Sequence, residues 1–387
     1  MRILLTSNAS YAPPRGGSTR SNQAWLRRLT ARGHQCRVVC ASFGDDEEGC
    51  LEGIEIRSVR DLMLRSRLLD NEVQTFRPDF VLVSSEDVSH VLLRACVRAA
   101  SGRIVYLAHT PQFFPFGPES WNPDPAATEI IRASLGIVVI GRHMAGYVQR
   151  HLGVTPAVLH PPIYGDAPFP NFGGFDQQQI LMVNPCQVKG ISILLELAKR
   201  FPQLSFAALR GWGTTTADRQ ALADHPNVRL LGTVTHIDEV LAGTRVLLMP
   251  SLWYEGFGLI AMEAMLRGIP VIASDSGGLE EAKSGTGLVV PVRRIARYLP
   301  EFDDKHMPKP VIPTQDLSGW IDALRFLSED RAFYEAESAR ERAAAEKFVA
   351  SVDPWQIETY LLSLSAPPWP AVDRAMLLRR MRERRNN

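Results

Sequence analysis

Two acids, Glu255 and Glu263, stand eight positions apart on either side of Gly256-Phe257-Gly258-Leu259. The first lies in a glycine-bearing turn, and the second lies inside an apolar stretch that reads as a helix. A helix N-terminus carries free amides and the positive end of a dipole, which suits a phosphate. A carboxylate cannot neutralise that phosphate, but it accepts hydrogen bonds from hydroxyls on one flank of it. The order acid, amides, acid therefore fits a ligand built as polyol, diphosphate, polyol, and a nucleotide sugar is such a ligand. A plainer reading also stands, with Glu255 a loop acid and Glu263 a polar residue tolerated at a helix edge. A diphosphate also calls for a cation. Lys189 stands between a strand and a helix in Asn184-Pro185-Cys186-Gln187-Val188-Lys189-Gly190 and supplies a point charge there. Arg210, just before Gly211-Trp212-Gly213, is a second candidate, equally readable as an interdomain ion pair. His109 follows a buried apolar run and falls on the ligand edge of a sheet, unless it is a structural histidine.

These side chains need strands and helices to hold them. Val246 to Met249 reads as a buried strand, Leu259 to Leu266 as a helix, and Val271 to Ala273 as the next strand. Gly268 fits a C-cap, and Pro270 forbids continuation of the helix. This is a βαβ unit with glycine loops at the carboxyl ends of its strands. Strand and helix alternate elsewhere too, with strands over 2–6, 38–41, 80–83, 103–107, 137–140, 180–183, 205–209 and 228–233. Helices are expected over 22–31, 62–76, 88–100, 141–152, 191–201, 237–242, 317–348 and 353–364. The chain is long enough for two doubly wound α/β domains, with a Gly- and Pro-rich linker over 164–175. Between the first strand and first helix, Gly16-Gly17-Ser18 lets backbone approach an anion or sugar closely. Arg15 and Arg20 beside it read as surface charges.

Other features exclude classes of function. Formal net charge is +1, which gives no electrostatic footprint for nucleic acid. Five cysteines without a CxxC pair read as reduced thiols of a cytoplasmic protein. No apolar run is long enough to span a membrane. Asp45-Asp46-Glu47-Glu48 reads as a solvated loop, since consecutive acids do not converge on one ion. No convincing metal cluster and no obvious covalent nucleophile is legible. Gly256-x-Gly258-x-x-Ala261 with Asp275 also matches a dinucleotide fingerprint. Residues 250–255, however, separate strand from glycine, where that fingerprint needs a tight turn. The Phe- and Pro-rich loop Gln112 to Asp124 is either an acceptor platform, a lid, or a loop packed on its own domain. The Arg-rich tail Met376 to Arg385 is the one place where peripheral membrane contact is conceivable, against a solvated helix. No role is legible for 293–315.

The central stretch resembles the Glu-x7-Glu signature of the retaining glycosyltransferases of family 4. The matching residues are Glu255-Gly256-Phe257-Gly258-Leu259, Glu263-Ala264-Met265 and Gly268-Ile269-Pro270-Val271-Ile272. The resemblance implies a GT-B fold, in which two Rossmann-like domains face each other across a cleft. The expected division is 1–165 for the acceptor side, 166–349 for the donor side and 350–387 for helices crossing back. It implies that Glu255 contacts the donor sugar and Glu263 the ribose. The amides of Gly256, Phe257, Gly258 and Leu259 would contact sugar and phosphate. Gly16, Gly17 and Ser18 would face the donor phosphates and the acceptor, His109 would lie over the donor sugar, and Thr233 would edge the base. The family has an Arg where this chain has Asn184, so Lys189 and Arg210 are the expected phosphate cations. The implied reaction moves a sugar from a nucleotide-sugar donor to an unidentified acceptor, with retention and without a metal. The alternatives are epimerisation or hydrolysis of a nucleotide sugar, or a silent nucleotide-sugar sensor.

Overall fold

A computed structural model describes residues 1–14 and 16–369. The tail Met376 to Arg385 and Arg15 therefore lie outside the described residues. The first sheet contains β1 (Arg2–Thr6), β2 (Gln35–Ala41), β3 (Glu47–Leu51), β4 (Ile54–Val59), β5 (Phe80–Ser84), β6 (Ile104–Ala108), β7 (Gly136–Val139) and β8 (Ala157–Val158). Its order is β3-β4-β2-β1-β5-β6-β7-β8, parallel except for the β3–β4 pair. The second sheet contains β9 (Gln179–Val183), β10 (Ser205–Leu209), β11 (Val228–Leu231), β12 (Thr244–Met249), β13 (Val271–Ser274) and β14 (Val289–Val290). Its order is β11-β10-β9-β12-β13-β14, and every pair is parallel.

Both orders reverse once, between β1 and β5 and between β9 and β12. At such a switch point the loops at the strands' carboxyl ends diverge and leave a crevice. The central strands read as unbroken apolar runs because helices cover both faces; every residue of β5 and of β6 is buried. Helix Leu259–Leu266 is apolar on all sides because seven of its eight residues are buried. The helix Gln356–Ser363 packs on the first domain. Gln356 donates to the His160 carbonyl, His34 lies 2.8 Å from Glu358, and Arg32 covers the Trp355 ring at 4.1 Å.

Two expectations need correction, and one stretch without a reading gains a structure. The acidic run is not all loop: Glu47 and Glu48 open the edge strand β3, where Glu48 pairs with Arg57 of β4. Charge on an exposed edge deters pairing with another chain, and it also hid the strand from a reading based on apolar alternation. The expected helix 317–348 is two helices, Ser318–Glu329 and Arg331–Ala350, broken where the Asp330 side chain accepts from Phe333 N–H. Residues 293–315 contain an antiparallel hairpin, β15 (Arg297–Phe302) and β16 (Pro308–Val311). Pro300, Pro308 and Pro310 concealed it, yet a two-stranded ribbon has two free edges on which proline is tolerated.

Candidate active site at the facing strand edges

The loop after β12 carries Glu255 into the crevice. The Lys189 ammonium lies 2.6 Å from Glu255 Oε1, and Ser251 Oγ donates to the same oxygen. Lys189 ends a single 3-10 turn after β9, and its charge sits 4.1 Å above the Trp253 ring. Gly190, which follows, needs its left-handed φ of 81°, and a Cβ there would lie 2.0 Å from the Pro250 carbonyl oxygen. That close approach packs the Lys189 loop against the Glu255 loop. Gly258 then caps helix Leu259–Leu266 with φ 115° and no side-chain cap, so no side chain of its own occupies the helix N-terminus.

The first domain meets this loop directly. A Cβ on Gly256 would lie 2.4 Å from the His109 carbonyl oxygen, and one on Gly17 would lie 2.9 Å from Leu259 Cδ1. A Cβ on Gly16 would lie 3.8 Å from Trp212 Cδ1. The structure therefore brings Gly16, Gly17, His109, Lys189, Glu255, Gly256, Gly258 and Leu259 together from both domains. Phe257 instead turns into the core, 1% exposed and stacked on Phe348 at 5.3 Å. Its side chain is an anchor, which leaves only its amide for a ligand.

Glu263 is 3% exposed on a helix with no polar face. A buried carboxylate needs a counter-charge. Arg20 supplies it with both guanidinium nitrogens, Nη1 at 3.1 Å from Oε2 and Nη2 on Oε1. The reading of Arg20 as a surface charge is thus wrong. Its helix begins at Gly17, five residues earlier than expected, which turns Arg20 across the cleft. The signal was the buried acid, which had no partner within its own domain.

Asn184 takes a left-handed φ of 58°, and its Oδ1 accepts from Gly213 N–H at 2.8 Å, while its Nδ2 is buried without a partner. It pins the loop that carries Trp212 and leaves its amide N–H donors free. Arg210 and Thr233 are exposed at the ends of β10 and β11, and neither is drawn to the Glu255 cluster. Ser18 lies in the first turn of its helix.

His109 is 2% exposed, and burial pushes its imidazole down to about 3, so it stands neutral. Its Nε2 lies 2.9 Å from Asn22 Oδ1, and its ring stacks on Trp25 at 5.8 Å. Asn22 was missed in the sequence. It continues the inward stripe of Trp25, Leu26 and Leu29, where a polar residue was the available signal. Burial also raises the Cys186 thiol to about 12, so it is no nucleophile.

The loop Gln112 to Asp124 divides its aromatics. Phe114 and Phe116 are buried in the first domain's core. Trp121 reaches the other domain, 6.3 Å from Trp253 and 5.5 Å from Tyr298 of the hairpin. Among the described residues, no group of three or more His, Cys, Asp or Glu can hold a metal ion, and no helix is long and apolar enough to cross a membrane. A surface groove of about 400 Å³ is lined by Asn171, Phe175, Arg331 and Arg342. It lies where the linker amides of Phe172 and Gly173 meet Arg267, at the far end of helix Leu259–Leu266. It gathers none of the groups above, so the site is assigned to the crevice on chemical grounds.

Residues 15–164 match a family model described as Glycosyltransferase Family 4, and residues 177–300 match one described as Glycosyl transferases group 1. A D-inositol 3-phosphate glycosyltransferase of Streptomyces scabiei is 30% identical over 227 residues, 47% of this chain and 50% of that protein. The chain thus spans about half the length of that curated relative. Sucrose-phosphate synthase of Thermosynechococcus elongatus superposes with TM-score 0.69 at 16% identity, covering 99% of both chains. Anabaena HepE in complex with UDP-glucose gives 0.67 at 16% identity, covering 94% of this chain and all of that one. With two facing doubly wound domains, each matched by a glycosyltransferase model, the chain belongs to the GT-B glycosyltransferases of family 4.

Proposed function

We propose that the protein transfers a sugar from a nucleotide-sugar donor to an acceptor hydroxyl, with retention of configuration and without a metal. The observation that carries this reading is convergence. The Lys189–Glu255 pair and the uncapped helix start at Leu259 meet the neutral His109 and the Gly16-Gly17 turn of the other domain. In the bound state the Lys189 ammonium and the amides of Gly258 and Leu259 take the diphosphate. There they stabilise the charge that develops as the sugar leaves. Glu255, released from Lys189, accepts hydroxyls of the sugar, and Glu263 accepts the ribose diol on the other flank. No residue is placed as a covalent nucleophile, so the acceptor attacks the face from which the diphosphate departs, and the leaving phosphate takes the acceptor's proton.

The test is a thermal-shift screen of UDP-, GDP- and ADP-sugars, followed by product analysis. A ligand at one hundred times its dissociation constant adds about 2.7 kcal/mol to stability. Stabilisation by a nucleotide sugar, and release of its nucleoside diphosphate with an α-linked donor giving an α-linked product, is the expected result. An inverted product defeats the retaining mechanism. Binding without turnover across an acceptor panel defeats the transferase reading in favour of a sensor, and an epimerised or merely hydrolysed sugar defeats it in favour of those activities.

A further inference from the structure

We infer that Asn22 is a positioning residue that holds His109 as the Nε2–H tautomer and presents its bare Nδ1 as an acceptor for a hydroxyl of the bound sugar. The sugar-binding half of this inference rests on the function proposed above; the tautomer does not. With Glu86 ionised, the chain of hydrogen bonds that ends on His109 has one consistent direction. Glu86 Oε2 accepts from Ser84 Oγ and, at 3.2 Å, from Ser7 Oγ. Ser84 has given its single proton to Glu86, so it can only accept from Asn22 Nδ2, 3.1 Å away. The amide of Asn22 is thereby oriented, and its Oδ1 is the atom that faces His109 Nε2 at 2.9 Å. An amide oxygen only accepts, so Nε2 carries the proton. A neutral imidazole has one N–H, which leaves Nδ1 as a lone pair.

Three observations aim this lone pair at a ligand. His109 Nδ1 is buried with no partner in the protein. The backbone on which it sits is fixed, because His109 N–H donates to Ser85 Oγ at 3.0 Å. The backbone carbonyl of that same residue abuts Gly256 of the other domain, so His109 stands where its strand end meets the Glu255 loop. Asn22, Ser84 and His109 are each 2% exposed or less, so water does not compete for the network. Burial alone pushes the imidazole to about 3, with no charged group contributing. Glu86, at the far end of the chain, is likewise pushed upward by burial. The nearest charge on the network is thus two side chains removed from the ring. A neutral acceptor suits a sugar hydroxyl, because it can take a hydrogen bond without drawing the proton off.

The experiment uses protein labelled with nitrogen-15 in its histidine rings and long-range proton–nitrogen NMR. The His109 signal is identified by its loss in His109→Gln. The parent is expected to show a protonated Nε2 and a bare Nδ1 across the neutral range. Asn22→Leu removes the acceptor at similar volume. The tautomers then mix, and release of nucleoside diphosphate from the nucleotide sugar selected by the thermal-shift screen slows roughly tenfold, the scale of one lost hydrogen bond. Asn22→Asp keeps an acceptor in place and should retain the tautomer. Its carboxylate also raises the imidazolium's pKa, so Nδ1 takes up a proton and turnover falls as pH drops through that raised value. The parent, held near 3, has no such limb in the same range. A bare Nε2 in the parent, or an unmixed tautomer in Asn22→Leu, overturns the inference. If the leucine variant does not fold, the parent spectrum and the pH limb of Asn22→Asp still decide it. If no nucleotide sugar is turned over by the parent, the proposed function fails while the spectra still judge the tautomer.

Discussion

Arg20→Met and Glu263→Gln should rank in opposite orders for stability and for nucleotide affinity. In the cleft, 4% of the Glu263 side chain and 35% of the Arg20 side chain are exposed. Arg20→Met strands a buried carboxylate. Removing one partner of a fully buried pair costs about 3–5 kcal/mol, whereas an exposed pair is worth about 0.2–1 kcal/mol. A third of the arginine is wet, so water takes part of the vacated place and the expected cost is about 2 kcal/mol. Glu263→Gln instead leaves a guanidinium that water reaches and an amide oxygen that still accepts, at an expected cost of about 1 kcal/mol. Binding reverses the order. A carboxylate offers about four acceptor sites, and the guanidinium uses two of them, which leaves room for the ribose diol. Losing a charge-assisted hydrogen bond costs about 1.5–3 kcal/mol, so Glu263→Gln should weaken nucleoside diphosphate binding about ten- to hundredfold. Arg20→Met keeps the carboxylate and should change that affinity by less than about threefold. Denaturant unfolding and calorimetry supply the two rankings, with whichever of UDP, GDP and ADP binds the parent tightest. Equal losses of affinity in the two variants refute the reasoning, because the guanidinium would then be a ligand contact itself.

Three further outcomes are expected. Lys189→Ala should raise the donor dissociation constant and lower turnover; parental kinetics would move the phosphate contact to Arg210. Chelation with EDTA should leave turnover intact, and a loss restored by magnesium or manganese would refute the metal-free mechanism. The third concerns pH. Burial holds His109 at about 3 rather than the ordinary 6.5, so the unfolded chain binds a proton that the folded chain refuses. The stability at stake is intact above pH 6.5 and is lost as pH falls toward 3, with a deficit of about 2 kcal/mol near pH 5. His109→Gln should flatten that part of a stability–pH curve, and an unchanged slope would show that other groups set it.

Much of the donor side was legible in the sequence because its information is local. A βαβ unit needs only an apolar strand, a glycine turn and a helix, and each leaves its mark within a few residues. Helix Leu259–Leu266, the left-handed Gly268 just past its Arg267 cap and the place of Lys189 before its helix follow from those marks. Partners that come from elsewhere in the chain leave no such mark. Arg20 reads as a surface charge until the fold sets it across the cleft from Glu263, 243 residues away. Asn22 reads as a helix residue until β6 brings His109 to it, and only then does a tautomer follow. The strands most fully exposed, β3 and the 297–311 hairpin, were hidden for a related reason. Their residues answer to edge protection and to packing on Trp121, not to burial in a core. The sequence by itself determined which groups could meet a diphosphate and two polyols. The tertiary structure decided which of them pair with each other, because a buried charge or donor takes its partner from whatever side chain the fold places against it.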